Sequence, residues 1–235
     1  MSAVDQAQLD HPRRAGRLLW PNLPLLCCGA LLVSLSWAVV RLVAPGLSVL
    51  SVVLHSLLVV PTFAPLLKGC QVLLTDEHFR IVDLFRTLRR DYLSVVKVGL
   101  LPTVTVLLTV SAFDIWYVAR QPWMLVSLGL GLSATVVTLY IWVIALPYAL
   151  RSPSSSLAQG WLVSFYVASR NPVPVLAVVS SVGLAVWATN TVSFALALLI
   201  PGPLALIWAA AMAAASDHSR TPLRASTPAR TEPSR

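Results

Sequence analysis

Two ionisable side chains of this 235-residue chain lie inside apolar segments, where they could do chemistry. His55 is in the second long apolar run, and Asp114 is near the end of the third. A polar group inside a membrane-length segment indicates function by default, because hydrocarbon penalises it. His55 is either a member of a proton relay or a neutral histidine bonded to a neighbouring helix. Asp114 lies among aromatic residues typical of a membrane interface, where it meets headgroups, water or Arg120.

A basic segment between the second and third apolar runs could bind an anion. Residues 76–92 are predicted to form a helix with one apolar and one polar face, at about 100° per residue. Arg86 and Arg90 are one turn apart, so they could grip a phosphate or a carboxylate of a partner protein. The simpler interpretation is an interfacial helix, with Arg86, Arg89 and Arg90 toward anionic lipid headgroups. The predicted apolar face contains Ile81, Val82, Leu84, Phe85, Leu88 and Tyr92, and the predicted opposite face contains Arg80, Asp83, Arg86, Thr87, Arg89, Arg90 and Asp91.

Prolines recur in the second, fourth and sixth apolar segments, as Pro61, Pro65, Pro147, Pro201 and Pro203. Because proline has no N–H, it frees a backbone carbonyl one turn earlier and kinks the helix. Freed carbonyls could line a ligand cavity, or the prolines could only bend the helices. Their repeated placement is of a kind seen in transporters with parallel repeats, although proline is common in membrane helices generally.

The sequence contains no catalytic or metal-binding motif. It has no G-x-S-x-G, H-E-x-x-H or Walker motif, and its three cysteines lack C-x-x-C spacing. The carboxylates lie mostly outside the apolar runs, so they form no predicted acid–base pair. We therefore expect a non-enzymatic protein without a cofactor or a metal ion. Gly129 and Gly131 indicate close helix packing, not nucleotide binding.

Composition indicates which elements position these residues. Hydrophobic residues make up 57% of the chain and charged residues 11%, less than half the roughly 25% of a soluble domain. This balance excludes a disordered chain, a nucleic-acid-binding module and an ordinary cytosolic enzyme. It predicts an all-α polytopic membrane helix bundle, with the lipid bilayer as its main partner and no nucleic-acid partner.

Six segments are predicted to cross the membrane, since each approaches the roughly 20 helical residues that this takes. Residues 171–216 carry no formal charge over 46 residues, so they must fold back, with a turn predicted at residues 189–191. Residues 154–170 are predicted to form a second amphipathic helix, which either lies at the interface or spans. The predicted spans are about 23–43, 47–67, 98–118, 123–147, 173–188 and 192–214, within a membrane domain of residues 19–215.

The distribution of basic residues predicts the orientation of the chain. With six spans, 15 of the 17 lysines and arginines lie on the side of both termini, and only Arg41 and Arg120 lie on the other. Basic residues collect in cytoplasmic loops. We therefore expect residues 1–18 and a disordered tail, residues 216–235, to be cytoplasmic in a multi-pass protein of the bacterial plasma membrane. Lys68 and Lys97 border the cytoplasmic interface, which snorkelling would explain.

Two stretches of the chain resemble the YesL-like family of bacterial integral membrane proteins, a family of unknown function. The first is the Val-Pro-Thr-Phe-Ala-Pro of residues 60–65, followed by the basic aromatic residues 83–92 and by residues 99–101. The second runs from residue 156 to Pro172 and into an apolar hairpin, so the resemblance covers roughly residues 19–215. The resemblance implies an association with carbohydrate uptake, and the family offers no established catalytic residues.

Two functional hypotheses follow from these features. The first is a non-catalytic accessory component of a transport or envelope system, with transporter subunits as candidate partners of the Arg86, Arg89 and Arg90 face. The alternative is a small transporter or permease, with a substrate path between the proline-bearing second, fourth and sixth spans and with His55 or Asp114 assisting. A membrane enzyme is the least supported class, because nothing in the sequence can act as an acid–base pair.

Overall fold

The computed structural model describes residues 21–46, 48–75, 79–151, 156–191 and 196–225. Every regular element among these residues is a helix. The predicted all-α class is therefore confirmed. The predicted N-terminal segment, residues 1–18, lies outside the described residues. The helices are α1 (Leu23–Val43), α2 (Val49–Leu74, with a π-helical turn at His55–Val59), α3 (Ile81–Ala119), α4 (Met124–Arg151), α5 (Leu157–Arg170), α6 (Pro172–Thr191), the short α7 (Leu196–Leu199) and α8 (Pro201–Ala225).

Among the described residues, four helices are long and apolar enough to cross a membrane, namely α1 to α4. Helices α5 and α6 would supply a fifth if they act together, although they meet at an angle of 98°. The apolar part of α8, Pro201–Ala213, is shorter than a span. The structure therefore supports four or five crossings, and the predicted sixth stays a prediction.

The predicted surface helix, residues 76–92, and the predicted third span, residues 98–118, form one continuous helix. Helix α3 has 39 residues, and residues 76–78 lie outside the described part of the chain. The prediction of two separate helices was wrong because residues 93–98 contain neither proline nor glycine, so nothing interrupts the backbone hydrogen bonds there.

The first three turns of α3 also divide their residues differently from the predicted two faces. Thr87 and Asp91, expected on the exposed polar face, are buried beside Leu84. Val82 and Phe85, expected on one apolar face at the membrane interface, are exposed, as residues that contact lipid would be. The predicted polar face was wrong at Thr87 and Asp91, because the helix buries the stripe that meets α2, and that stripe contains a carboxylate with a partner on α2.

The last third of the described chain departs from the predicted boundaries in three places. Helix α6 continues through Thr191, so residues 189–191 are helical and are not the predicted turn. The predicted span 192–214 is divided at Ile200 into α7 and α8. Pro201 and Pro203 favour the first turn of a new helix, where no N–H is needed. Helix α8 continues to Ala225, so the predicted disordered tail is helical over residues 216–225, and residues 226–235 lie outside the described part.

Helix α2 lies at the centre of the bundle, packed against α1, α3 and α8. Its residues Phe63, Leu66 and Leu67 belong to a core shared with α4, α6 and α8. Helix α1 approaches α2 closely at Gly29, where an added Cβ would be 2.6 Å from Leu66 Cδ1. This packing places one face of α2 against a cavity of the described structure.

Hydroxyl pairs join the antiparallel helices α3 and α4. Thr105 bonds Thr138 and Thr109 bonds Thr135, each with 2.9 Å between the two Oγ1 atoms. A Cβ added to Gly131 would be 3.0 Å from Thr109 Oγ1 and 3.5 Å from Thr109 Cα. The close packing predicted for Gly131 is therefore confirmed, whereas the same prediction for Gly129 was wrong, because nothing lies within 4 Å of a Cβ added there.

Gly131→Ala is expected to be about 1 kcal/mol less stable than Gly129→Ala, because both alanines gain the same helix propensity but only the methyl group at residue 131 forces α3 away from α4. Gly129→Ala is the matched control, since nothing lies within 4 Å of its added Cβ. SDS-titration unfolding of the purified protein in detergent measures both variants. Equal stability of the two alanine variants would contradict the close approach at Gly131.

Candidate ligand-binding cavity

A partly open cavity of about 790 Å³ is lined by α1, α2, α4, α6 and α8. Its volume is within the roughly 300–1,000 Å³ of small-molecule pockets. Most of its wall is aliphatic or aromatic, including Val143, Val182 and Leu204. Pro201 also lines it, so all three proline-bearing segments, α2, α4 and α8, border one cavity. The cavity is thus suited to an apolar or amphipathic molecule.

Three polar residues of the cavity wall lie near the hairpin between α1 and α2. Arg41 comes from the last turn of α1, and Ser51 and His55 come from the first turns of α2. Ser34 lies near the middle of α1, about 10 Å from Arg41 along the helix. Helix α2 begins here because Ser48 caps it, accepting a hydrogen bond from the Ser51 N–H at 3.1 Å. Gly46, at φ +86, makes the reversal between the two helices. The hairpin therefore places a cation and an imidazole at one end of an otherwise apolar space.

His55 is held by its own helix. Its Nδ1 is 2.7 Å from the Ser51 carbonyl oxygen and 3.4 Å from Ser51 Oγ. A carbonyl oxygen only accepts hydrogen bonds, so Nδ1 carries the proton and Nε2 is the other polar atom of the ring. The expected bond to a neighbouring helix is not the one formed, and among the described residues His55 has no carboxylate partner that would continue a proton relay.

Arg41 is an exposed cation at the rim of the cavity. Its guanidinium lies over the Trp37 ring, 5.1 Å from the ring centroid. In the described part of the chain it forms no ion pair with a carboxylate. Stacking on an aromatic ring orients the guanidinium and leaves its N–H donors for other partners.

Three aromatic side chains close the opposite end of the cavity. The Trp208 ring is 5.4 Å from Phe63 and 5.8 Å from Trp142, centroid to centroid. Trp208 is almost fully buried. Its Nε1 donates to the Val143 carbonyl oxygen at 2.8 Å, which fixes the indole in place.

That carbonyl is the one that Pro147 leaves unpaired. In a regular helix the N–H of residue 147 would donate to the carbonyl of residue 143, and proline has no N–H. The indole of Trp208 supplies the missing donor from another helix. Pro147 is fully buried, so an unpaired carbonyl there would be costly.

A similar arrangement occurs at Pro61. Tyr92 Oη donates to the Leu57 carbonyl oxygen at 3.0 Å, four residues before Pro61. Tyr140 Oη donates to the Ala168 carbonyl oxygen at 3.0 Å. That carbonyl is in the last turn of α5, where it has no partner within its own helix. Aromatic side chains thus occupy the carbonyls before Pro147 and Pro61 and one at the end of α5, so these three carbonyls do not offer themselves to a ligand.

The remaining residues singled out from the sequence lie away from the cavity. Asp114 is exposed on α3, near an aromatic group in which Phe113 is 5.9 Å from Trp116 and 6.4 Å from Tyr117. Arg120 bonds the Tyr117 carbonyl and lies over the Tyr117 ring, and no described ion pair joins it to Asp114. The structure therefore does not bring Asp114 and His55 together.

The basic residues of α3 are exposed at the other end of the bundle. The Arg86 side chain is 77% exposed and 3.6 Å from Asp83, and the Arg90 side chain is 73% exposed. Arg89 is exposed as well. Lys68, expected to snorkel, instead pairs with the buried Asp91, with 2.6 Å between Nζ and Oδ2.

Comparison with known proteins assigns no relative to this chain. No protein-family model matches it, no curated protein matches it, and no solved structure matches it. The resemblance to the YesL-like family therefore stays a prediction. The sequence indicated His55 and the prolines, but not the role of Arg41, Trp37 and Trp208 at the cavity. The spacing of Trp37 and Arg41, one helical turn apart, could have indicated that the two side chains stack.

Proposed function

We propose that this chain is a multi-pass integral membrane protein that crosses the bacterial plasma membrane six times with both termini in the cytoplasm. Large aliphatic residues cover its outside, with Leu42 85% exposed, Val118 84% and Val173 74%. Soluble monomers rarely expose contiguous apolar surface on this scale. The distribution of lysine and arginine supports the orientation, because it leaves only Arg41 and Arg120 outside.

Within that membrane protein, we propose the function of a small transporter that moves an apolar or amphipathic molecule. The observation that carries the proposal is the 790 Å³ cavity bordered by α2, α4 and α8 together. Ligand sites of membrane transporters lie between helices whose regular structure is interrupted. Here the interruptions are the π-helical turn of α2, Pro147 in α4 and the Pro201 start of α8.

The chemistry of the wall disfavours a free sugar as the transported molecule. Sugar hydroxyls need hydrogen-bond partners when they leave water. The polar side chains of the wall are few, with Arg41, Ser51 and His55 near the α1–α2 hairpin and Ser34 about two turns further along α1. The association with carbohydrate uptake therefore rests on the family resemblance alone.

The test is transport by the purified full-length protein in liposomes. We expect amphipathic solutes to cross faster than in protein-free liposomes and sugars to cross at the protein-free rate. Val182→Trp fills the cavity and should abolish the difference. Leu184→Trp, on the same helix but 65% exposed, is the matched control and should transport normally. Equal transport by both variants, or transport of sugars alone, would refute the proposal.

The second candidate function is the accessory protein, which is favoured by the exposed arginines of α3. Arg86 and Arg90 lie beside exposed apolar residues of the same helix, including Val82 and Phe85. That combination suits anionic lipid or an acidic partner protein. Charge reversal at Arg86, Arg89 and Arg90 should then remove a co-purifying membrane protein, whereas Arg120→Glu should not. If the charge-reversed protein transports normally and loses no partner, the accessory function is contradicted and the transporter function remains.

A further inference from the structure

The main cavity has two chemically different ends. Arg41, Ser51 and His55 mark one end, and Phe63 and Trp208 close the other. Along α2, twelve residues separate Ser51 from Phe63, which corresponds to about 18 Å at 1.5 Å per residue. A molecule that fills this space has to be elongated, with a polar group at only one of its ends.

The polar end favours an anionic group. Arg41 has no carboxylate partner in the described residues, and its stacking on Trp37 holds the guanidinium at the rim. Guanidinium binds carboxylate and phosphate through paired, charge-assisted hydrogen bonds. His55, fixed through its Nδ1 to the Ser51 carbonyl, adds a second polar group two turns along the neighbouring helix.

The apolar end favours a hydrocarbon chain. Val143, Val182 and Leu204 line the space between the polar end and the aromatic end. The indole N–H of Trp208 is already bonded to Val143, so it offers no donor to a ligand. An alkyl chain can bury its methylene groups against this wall.

We infer that the cavity binds a single-chain amphiphile with an anionic headgroup, the headgroup at Arg41 and the chain directed toward Phe63 and Trp208. This inference rests on the proposed function, because it names the substrate class of that cavity. A long-chain fatty acid and a prenyl phosphate share the required chemistry. A two-chain phospholipid is the alternative occupant, which the binding test below distinguishes.

The test is equilibrium binding of a radiolabelled long-chain fatty acid to the purified full-length protein in detergent. We expect saturable binding, competition by unlabelled fatty acid and by a prenyl phosphate, and about tenfold weaker competition by the fatty alcohol of the same length, since the alcohol lacks the charge. Phosphatidylglycerol should compete no better than the alcohol. Absence of saturable binding, equal competition by acid and alcohol, or competition by phosphatidylglycerol alone would overturn the inference.

Variants separate the headgroup from the chain. Arg41→Gln should weaken fatty-acid binding about tenfold and leave alcohol binding unchanged. Arg120→Gln removes another exposed arginine stacked on an aromatic ring, at 5.2 Å from Tyr117, and should change neither. Val182→Trp should weaken both ligands. Gel filtration verifies folding, and identical affinities for Arg41→Gln and Arg120→Gln would contradict the placement of the headgroup.

The binding and transport experiments can contradict the ligand class and the transporter function independently of each other. If the protein binds the fatty acid through Arg41 but moves no solute across liposomes, the transporter proposal is wrong and the ligand class is supported. If it transports another solute and shows no saturable fatty-acid binding, the transporter proposal is supported and the ligand class is wrong.

Discussion

Lys68→Met is expected to lower the free energy of unfolding by about 3 kcal/mol, because it leaves the Asp91 carboxylate buried without its nearest cation. The Asp91 side chain is 8% exposed and the Lys68 side chain 25%, and their charged atoms are 2.6 Å apart. Arg90 Nε, at 3.7 Å from the other carboxylate oxygen, is a weaker and more exposed partner. SDS-titration unfolding measures the loss.

The double variant Lys68→Met, Asp91→Leu should recover to within about 1 kcal/mol of the wild type, since replacing both charges removes the desolvation cost together with the attraction. Arg86→Gln is the control, because it breaks an exposed pair with Asp83 and should cost about 0.5 kcal/mol or less. A double variant as unstable as Lys68→Met would show that the lysine acts through packing and not through its charge.

Trp208→Phe is expected to cost about 2 kcal/mol, because the phenyl ring cannot donate to the Val143 carbonyl that Pro147 leaves unpaired. Trp123→Phe also removes an indole donor, bonded to Gln121, but at a 65% exposed position. That control should change stability by less than about 0.5 kcal/mol.

Pro147→Ala provides a stricter test of the same bond. The alanine N–H can pair with the Val143 carbonyl within α4, so Trp208→Phe should cost less in the Pro147→Ala background. We expect a coupling energy of about 1 kcal/mol from the double-mutant cycle. Additive effects of the two substitutions would mean that the proline and the indole do not share that carbonyl.

Sequence periodicity and charge were sufficient for three of the first four apolar helices. The predicted segments 23–43, 47–67 and 123–147 match α1, α2 and α4 closely, because long uncharged runs have few alternatives to helix. The separation of residues 76–92 from residues 98–118 was wrong, because a change from polar to apolar sequence was interpreted as the end of a helix. The uncharged C-terminal third gave poor boundaries because no charge marks where its helices end.

The partners of the polar groups were not predictable in the same way. Tyr92 is 35 residues from Leu57, and Trp208 is 65 residues from Val143. The sequence indicated that Pro61 and Pro147 free a carbonyl, but only the packing of α2 with α3 and of α4 with α8 determines which donor reaches it. Asp91 was placed on the exposed face for the same reason, because its partner Lys68 comes from another helix.

Arg41 shows how the candidate site itself escaped sequence reasoning. In the sequence analysis Arg41 was only one of the two basic residues predicted to lie on the side of the membrane opposite both termini. Its place beside His55 depends on the hairpin of α1 and α2, and on the apolar wall contributed by α6 and α8. Contacts between segments more than one hundred residues apart define the cavity, and no local pattern reports them.

The cross-helix bonds from Tyr92, Tyr140 and Trp208 to backbone carbonyls limit how this molecule can move. Together with the Lys68 and Asp91 pair and the threonine pairs, they connect α2 to α3, α3 to α4, and α4 to both α5 and α8. Sliding any of these helices along its neighbour would break at least one of these bonds. If the cavity opens and closes during transport, these five helices have to move as one rigid body. The relative motion then has to come from the other described helices, α1, α6 and α7.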